Sequence, residues 1–394
     1  MLETHLASIE VLLLISAIVA IVAQRLHVPY TVGLVAAGIG LALLNVPVAF
    51  ELSKELIFAA FLPPLIFEAA LHLRWKELRG DAPVIGIFAS VGVVLSAGLT
   101  AVGMHFLAGW SWVTASLFGA LIAATDPVSV VATFKEAGVK GRLRLLMEGE
   151  SLLNDGFAAV AFVIALAAAN GESISAASIA GNLLWIVGGG VACGALVAGA
   201  VLLVAGRTED PLLEITFTTV AAYGSFFVAE HFHASGVLAT LTAGLIVGNL
   251  GPLGSISTRG RDAVITFWDY AAFVVNSLIF MLIGLQEGHL QFGAILLPIV
   301  IAIVVVMVGR AAAIYPCALL FAGSERLRVS RAHQHVLFWG GLRGALALAL
   351  ALGLPESIPG RDELVTVTFA VVAFSIVVQG LTMVPLLRRL GQIQ

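Results

Sequence analysis

Charge is what this chain has least of. Its 20 Lys and Arg and 24 Asp and Glu make up 11% of 394 residues, against 60% hydrophobic residues. Soluble globular domains carry about twice that share of charge, so a water-facing globular domain is excluded as the bulk of the chain. The formal net charge of −4, with no dense basic block, leaves no footprint for a nucleic acid. Cysteine is nearly missing. Cys193 and Cys317 both sit inside apolar runs, so the chain has no disulfide framework. The first apolar run also lacks a positive leader. Glu3 and Glu10 stand at its start and no clear cleavage site follows, so a retained helix is expected, not a signal peptide. Nor is any polar stretch long enough for a separate domain.

What is present is a succession of apolar runs of about 17–25 residues, the length that crosses a bilayer core. The mean hydropathy is +1.06. The fold class expected is therefore an all-α polytopic membrane bundle in one unit. Helices fall near 9–26, 28–45, 54–71, 82–107, 111–134, 148–170, 176–205, 212–232, 234–250, 262–285, 292–321, 331–353 and 363–387, about thirteen in all. Alternate loops hold nearly all the basic residues: Arg25; Arg74, Lys76 and Arg79; Lys135, Lys140, Arg142 and Arg144; Arg207; Arg259 and Arg261; Arg326, Arg328 and Arg331; Arg388 and Arg389. The opposite loops hold Lys54 and Arg361. The positive-inside rule then puts the N-terminus outside and the C-terminus in the cytoplasm.

Against that background a few ionisable residues at membrane depth stand out, because each costs about 2.5–3.5 kcal/mol to insert. They concentrate in two stretches, Ala-Thr125-Asp126-Pro127-Val and Glu150-Ser151-Leu-Leu-Asn154-Asp155-Gly156. Asp is a preferred N-cap and Pro is favoured at the first helical position. A helix is therefore expected to break near Thr125 and restart at Pro127, its positive end facing into the membrane. The second stretch reads as continuous helix, with Ser151 and Asp155 on one face and Glu150 and Asn154 on the adjoining one. Hydroxyl, carboxamide and carboxylate oxygens, without thiolate or imidazole, suit an alkali cation or a proton better than a transition metal. A second break is expected at Gly340-Gly341-Leu342-Arg343-Gly344, where three glycines weaken the helix. The two broken segments are an odd number of helices apart and so cross in opposite directions, the arrangement of an inverted repeat with its binding site at the crossing. Glu68 follows a double proline in the third segment, and Arg310 lies in an apolar run where it would pair with an acid or with carbonyl ends.

These residues resemble the monovalent cation/proton antiporters, specifically the NhaP-type sodium/proton exchangers. The stretches concerned are Phe61-Leu-Pro-Pro-Leu-Ile-Phe-Glu68, Ala124-Thr-Asp-Pro-Val128, Glu148-Gly-Glu-Ser-Leu-Leu-Asn-Asp-Gly156, Phe267-Trp-Asp-Tyr through Gly284-Leu285, and Gly340-Gly-Leu-Arg-Gly344. The resemblance implies the NhaA/NhaP-like fold and a homodimer in the lipid bilayer of the plasma (inner) membrane. Residues 1–80 and 172–290 would form the dimerisation part, and 81–171 with 291–394 the core transport part. It implies that Asp155 carries Na⁺ (or Li⁺) and H⁺ alternately, with Ser151, Glu68 and the Thr125 carbonyl as further ligands and Asp126 and Asn154 in support. It also implies a structural ion pair between Glu150 and Arg343. Neutral Asn154 beside Asp155 matches the electroneutral branch. The expected activity is transport, with no enzyme chemistry and no cofactor beyond the transported ions. K⁺/H⁺ exchange on the same scaffold is the alternative. A cation channel and an intramembrane aspartyl hydrolase are the readings from other classes; against the hydrolase, Asp126 looks engaged as a cap and no catalytic motif surrounds either aspartate.

Overall fold

In hydrocarbon every backbone N–H and C=O must find its partner inside the protein, and a helix achieves this within one segment. Accordingly, all regular structure among the described residues is helical. The computed structural model describes residues 2–26, 28–46, 52–126, 129–130, 133–134, 137–171, 176–251, 254–289 and 295–393. In chain order the helices are α1 (Leu2–Leu26), α2 (Tyr30–Leu43), α3 (Leu62–His72), α4 (Trp75–Ala108), α5 (Trp112–Ile122), α6 (Arg142–Ala169), α7 (Ala176–Ala205) and α8 (Pro211–His231). They continue with α9 (Gly236–Leu250), α10 (Thr258–His289), α11 (Leu296–Leu319), α12 (Arg331–Trp339), α13 (Ala345–Leu352), α14 (Arg361–Phe374) and α15 (Gly380–Arg389). Eight stretches of the described residues are long and apolar enough to cross a membrane, and α2, α5 and α9 are shorter apolar helices.

Local chemistry marks the ends. Ser111, Ser235 and Ser330 accept N–H bonds at the starts of α5, α9 and α12, and Gly109 takes the left-handed conformation that closes α4. α4 and α6 are among the helices that begin earlier than their apolar runs suggest. α4 starts at Trp75, where 82 is expected, and α6 at Arg142, where 148 is expected. Charged residues extend both beyond the apolar stretch: Arg142 clasps Asp81 at 2.7 Å, and Arg144 pairs with Glu148 one turn on. Both expected breaks are interruptions in helix. Residues 124–126 leave the helix after α5, and 341–344 separate α12 from α13. Pro127, the expected restart, and Lys135 of the basic loop lie outside the described residues.

The double proline of α3 has a visible consequence. Pro64 has no N–H to give to the carbonyl four residues back, and a wide π-type turn over Leu56–Phe61 precedes it. The Ala60 carbonyl so released accepts the Tyr223 hydroxyl of α8 at 3.1 Å.

α4 lies against α5, α6 and α11, whereas α10 lies against α2 and α3, and α9 against α3, α7 and α8. The α2–α10 crossing is a backbone contact. A methyl on Gly284 would stand 2.1 Å from the Val35 carbonyl oxygen, and one on Gly38 would stand 2.1 Å from that of Met281. Gly40 on the same helix faces open space. Gly284→Ala should therefore lower stability by about 1–3 kcal/mol, as overpacking does, while Gly40→Ala leaves it unchanged. Thermal unfolding of the two variants in detergent measures the difference.

Candidate cation and proton site

The two interruptions touch. The Asp126 N–H donates to the Leu342 carbonyl at 2.7 Å, so each break supplies a backbone partner that the other has lost. The approach needs Gly344, because a methyl there would fall 2.6 Å from Asp126 Cβ. Arg343 reaches back across the crossing. Its guanidinium donates to the carbonyls of Ala123 at 2.9 Å and Ala124 at 3.0 Å, just past the end of α5. Those carbonyls have no helical partner and carry the negative end of the helix dipole. Ser375 accepts the Arg343 backbone N–H at 2.9 Å.

α6 presents its polar face to this crossing. Asn154 Oδ1 accepts the Thr125 N–H at 3.2 Å, and Nδ2 donates to Thr125 Oγ1 at 2.6 Å and to Glu150 Oε1 at 2.9 Å. The hydroxyls of Ser151 and Thr125 share a hydrogen bond of 2.6 Å. Asp126 accepts both the backbone N–H and the hydroxyl of Ser129, as a helix N-cap does.

The ion pair expected between Glu150 and Arg343 is not the one formed. Arg310 of α11 takes Glu150 in a fork, at 2.7 and 3.0 Å, and also donates to the Leu337 carbonyl near the end of α12 at 2.8 Å. Both members are buried. Arg343 is held instead by the carbonyls bared where α5 breaks. Glu148, two residues before Glu150, has a partner of its own. It is buried and paired with Arg144.

Asp155 keeps one oxygen outside these networks. It is 3% exposed, and its Oδ1 is buried without a hydrogen-bond partner. Asp155 lines a small cavity with Thr125, Asp126, Gly344, and Leu65 and Ile66 of α3. The open space of about 20 Å³ is enough for one water-sized body. Ser151 reaches it through Thr125. Glu68, expected as a further ligand here, does not line the cavity. Its carboxylate lies farther along α3, 3.5 Å from His72. At the crossing itself, Asp126, Glu150 and Asp155 in their ionised forms stand against Arg310 and Arg343. One negative charge is left over, and Asp155 is the acid with the orphaned oxygen. One monovalent cation or one proton neutralises it.

A helical membrane bundle in which two interrupted helices meet beside a buried carboxylate is the architecture of a secondary ion transporter. The chain matches the family described as sodium/hydrogen exchanger, transmembrane, over residues 11–389, and it belongs to that family. It is 39% identical over 371 residues to the Na⁺/H⁺ antiporter ApNhaP of Aphanothece halophytica, covering 93% of this chain and 70% of that one. It is 35% identical over 412 residues to the Na⁺/H⁺ antiporter NhaH of Halobacillus dabanensis, covering 99% of both. Among solved structures it resembles the sodium proton antiporter MjNhaP1 of Methanocaldococcus jannaschii with a TM-score of 0.80 and 18% identity over 99% of each chain, a likeness of fold.

Because Glu150 is buried against Arg310, Arg310→Ala should destabilise the protein by about 3–5 kcal/mol, the usual cost of leaving one buried charge alone. The double variant Arg310→Met with Glu150→Leu should recover part of that loss. Thermal unfolding of both singles and the double gives the coupling, and simple additivity would exclude the pair.

Proposed function

We propose that this chain exchanges Na⁺ for H⁺ across the membrane one for one, both ions competing for Asp155. The observation that carries this reading is the orphaned, buried Asp155 oxygen facing a cavity of one-ion size, in a core where Glu150 is paired and Asp126 caps a turn. Na⁺/H⁺ antiport is what the family and its named antiporter relatives support. Li⁺, smaller and equally hard, uses the same oxygens.

In this mechanism Asp155 loses its proton to one side and takes Na⁺ from the same side. Thr125 supplies a carbonyl ligand, and Ser151, Asn154 and Asp126 hold Thr125 in place. Either occupant cancels the one uncompensated charge, so the loaded forms cross the low-dielectric barrier and the empty anionic form does not. The group formed by α4–α6 and α11–α15 is the moving unit against the group formed by α1–α3 and α7–α10. The latter group also carries a homodimer interface. The basic loops face the cytoplasm and the N-terminus faces outward, in a plasma (inner) membrane.

Asp155→Ala should fold and lose exchange. Wild-type-like Na⁺-driven proton flux from that variant in proteoliposomes would sink the assignment. The pH dependence has a definite sign. Protons compete for the same oxygens, so the Na⁺ concentration for half-maximal rate should rise as pH falls, by up to about tenfold per pH unit. Clamping the voltage with K⁺ and valinomycin should leave the rate unchanged, because one positive charge moves each way. A current, or a Na⁺ requirement independent of pH, would mean that a second group carries charge.

A further inference from the structure

Beyond the Asp155 cavity, ligating side chains converge from two helices. Leu65, Glu68 and His72 are spaced three and four residues apart on α3 and share one stripe of that helix. Leu65 lines the Asp155 cavity, and the stripe runs on to Glu68 and His72 at the helix end, roughly 5 and 10 Å farther at 1.5 Å per residue. Asp269 of α10 faces it. His72 Nδ1 lies 3.5 Å from Glu68 Oε1, and Nε2 lies 3.7 Å from Asp269 Oδ1. One ligand atom from each of the three residues falls within 4.8 Å of the others.

The histidine is oriented as a ligand would be. His72 Nδ1 is 2.9 Å from the Glu68 carbonyl oxygen, which can only accept, so Nδ1 carries a proton and Nε2 is the ring nitrogen turned toward Asp269. Metal-ligating histidines are held in this way through their second nitrogen. Ligand atoms around a tetrahedral ion with bonds of about 2.1 Å stand roughly 3.4 Å apart, close to the 3.7 Å between Nε2 and Asp269. Neither carboxylate contact is as short as a good hydrogen bond. Water reaches the cluster, since the Glu68, His72 and Asp269 side chains are 19, 35 and 40% exposed.

We propose that Glu68, His72 and Asp269 form a binding site for a divalent transition cation of the Zn²⁺ class, one to two helical turns from the Asp155 cavity. One imidazole and two carboxylates suit such an ion, and the two carboxylates balance its charge. Three protein ligands leave a fourth position for water. Its effect on transport rests on the exchange reading above. A dication one to two helical turns from Asp155 repels incoming Na⁺, so its binding slows exchange.

Zn²⁺ titrated into the detergent-purified protein and followed by calorimetry tests the site, with Co²⁺ absorption as a second readout. The expected result is one site per chain, kept in Asp155→Ala and weakened about tenfold or more in His72→Gln and in Asp269→Asn. Unchanged affinity in both of these variants overturns the site and leaves His72 as an ion-pair bridge between two acids. Loss of the site in Asp155→Ala also overturns it, because the metal would then occupy the exchange cavity. In proteoliposomes, Zn²⁺ on the side of the basic loops should slow Na⁺-driven proton flux in wild type and not in His72→Gln. Equal inhibition of the two overturns the inhibitory role. An Asp155→Ala variant that still exchanges would refute the exchange reading without changing the calorimetry.

Discussion

A helix that stops inside a membrane leaves carbonyl groups with no partner and a negative dipole end facing hydrocarbon, and the core of this protein depends on how those ends are met. Each of the two interrupted helices has its C-terminal end covered by one arginine. Arg343 serves Ala123 and Ala124 beyond α5, and Arg310 serves Leu337 in the last turn of α12. The assignment is crossed, since Arg343 lies in the second break and covers the end at the first. Arg310 comes from a third helix and brings Glu150 with it. From Glu150 the network passes through Asn154 to Thr125 and Ser151. The polar residues around Asp155 are thus held by a chain of hydrogen bonds that begins at two helix ends.

That arrangement separates two kinds of buried acid. Glu150 belongs to the scaffold, since a guanidinium fork and a carboxamide fill its lone pairs. Asp155 sits one turn further along the same helix and has a cavity on one side. Both are buried to a similar degree, so burial alone does not distinguish them. What distinguishes them is whether the protein supplies the countercharge or leaves that to an occupant.

Much of this was legible in the residues. The bilayer length of the apolar runs, Asp126-Pro127 and the glycines at 340–344 point to the bundle and its two breaks, because those signals are local. The Glu150–Arg310 pair was not legible. Its partners are 160 residues apart, two arginines at similar depth competed for one glutamate, and helical spacing carries nothing across such a distance. Glu68 differs for another reason. Its stripe on α3 was readable, but how far along that stripe the crossing would fall depends on tilt and on the wide turn ahead of Pro63, which spacing does not encode. Glu214 is similar. It stands in the first turn of α8, next to a basic loop, yet it is buried and accepts the Ser257 N–H at the start of α10.

The separation between Glu150 and Arg310 also bears on how the molecule is made. A chain that enters the bilayer from its N-terminus delivers α6, with Glu148, Glu150 and Asp155, long before α11 exists. Arg144 is at hand for Glu148 from the outset, one turn away. Glu150 has no countercharge until α11 arrives, and Asp126 has no Leu342 carbonyl until later still. The first half of the chain therefore waits in the membrane with an unfinished centre. It must be held by its apolar flanks, by the insertion machinery or by protons on its acids until the second half supplies the arginines.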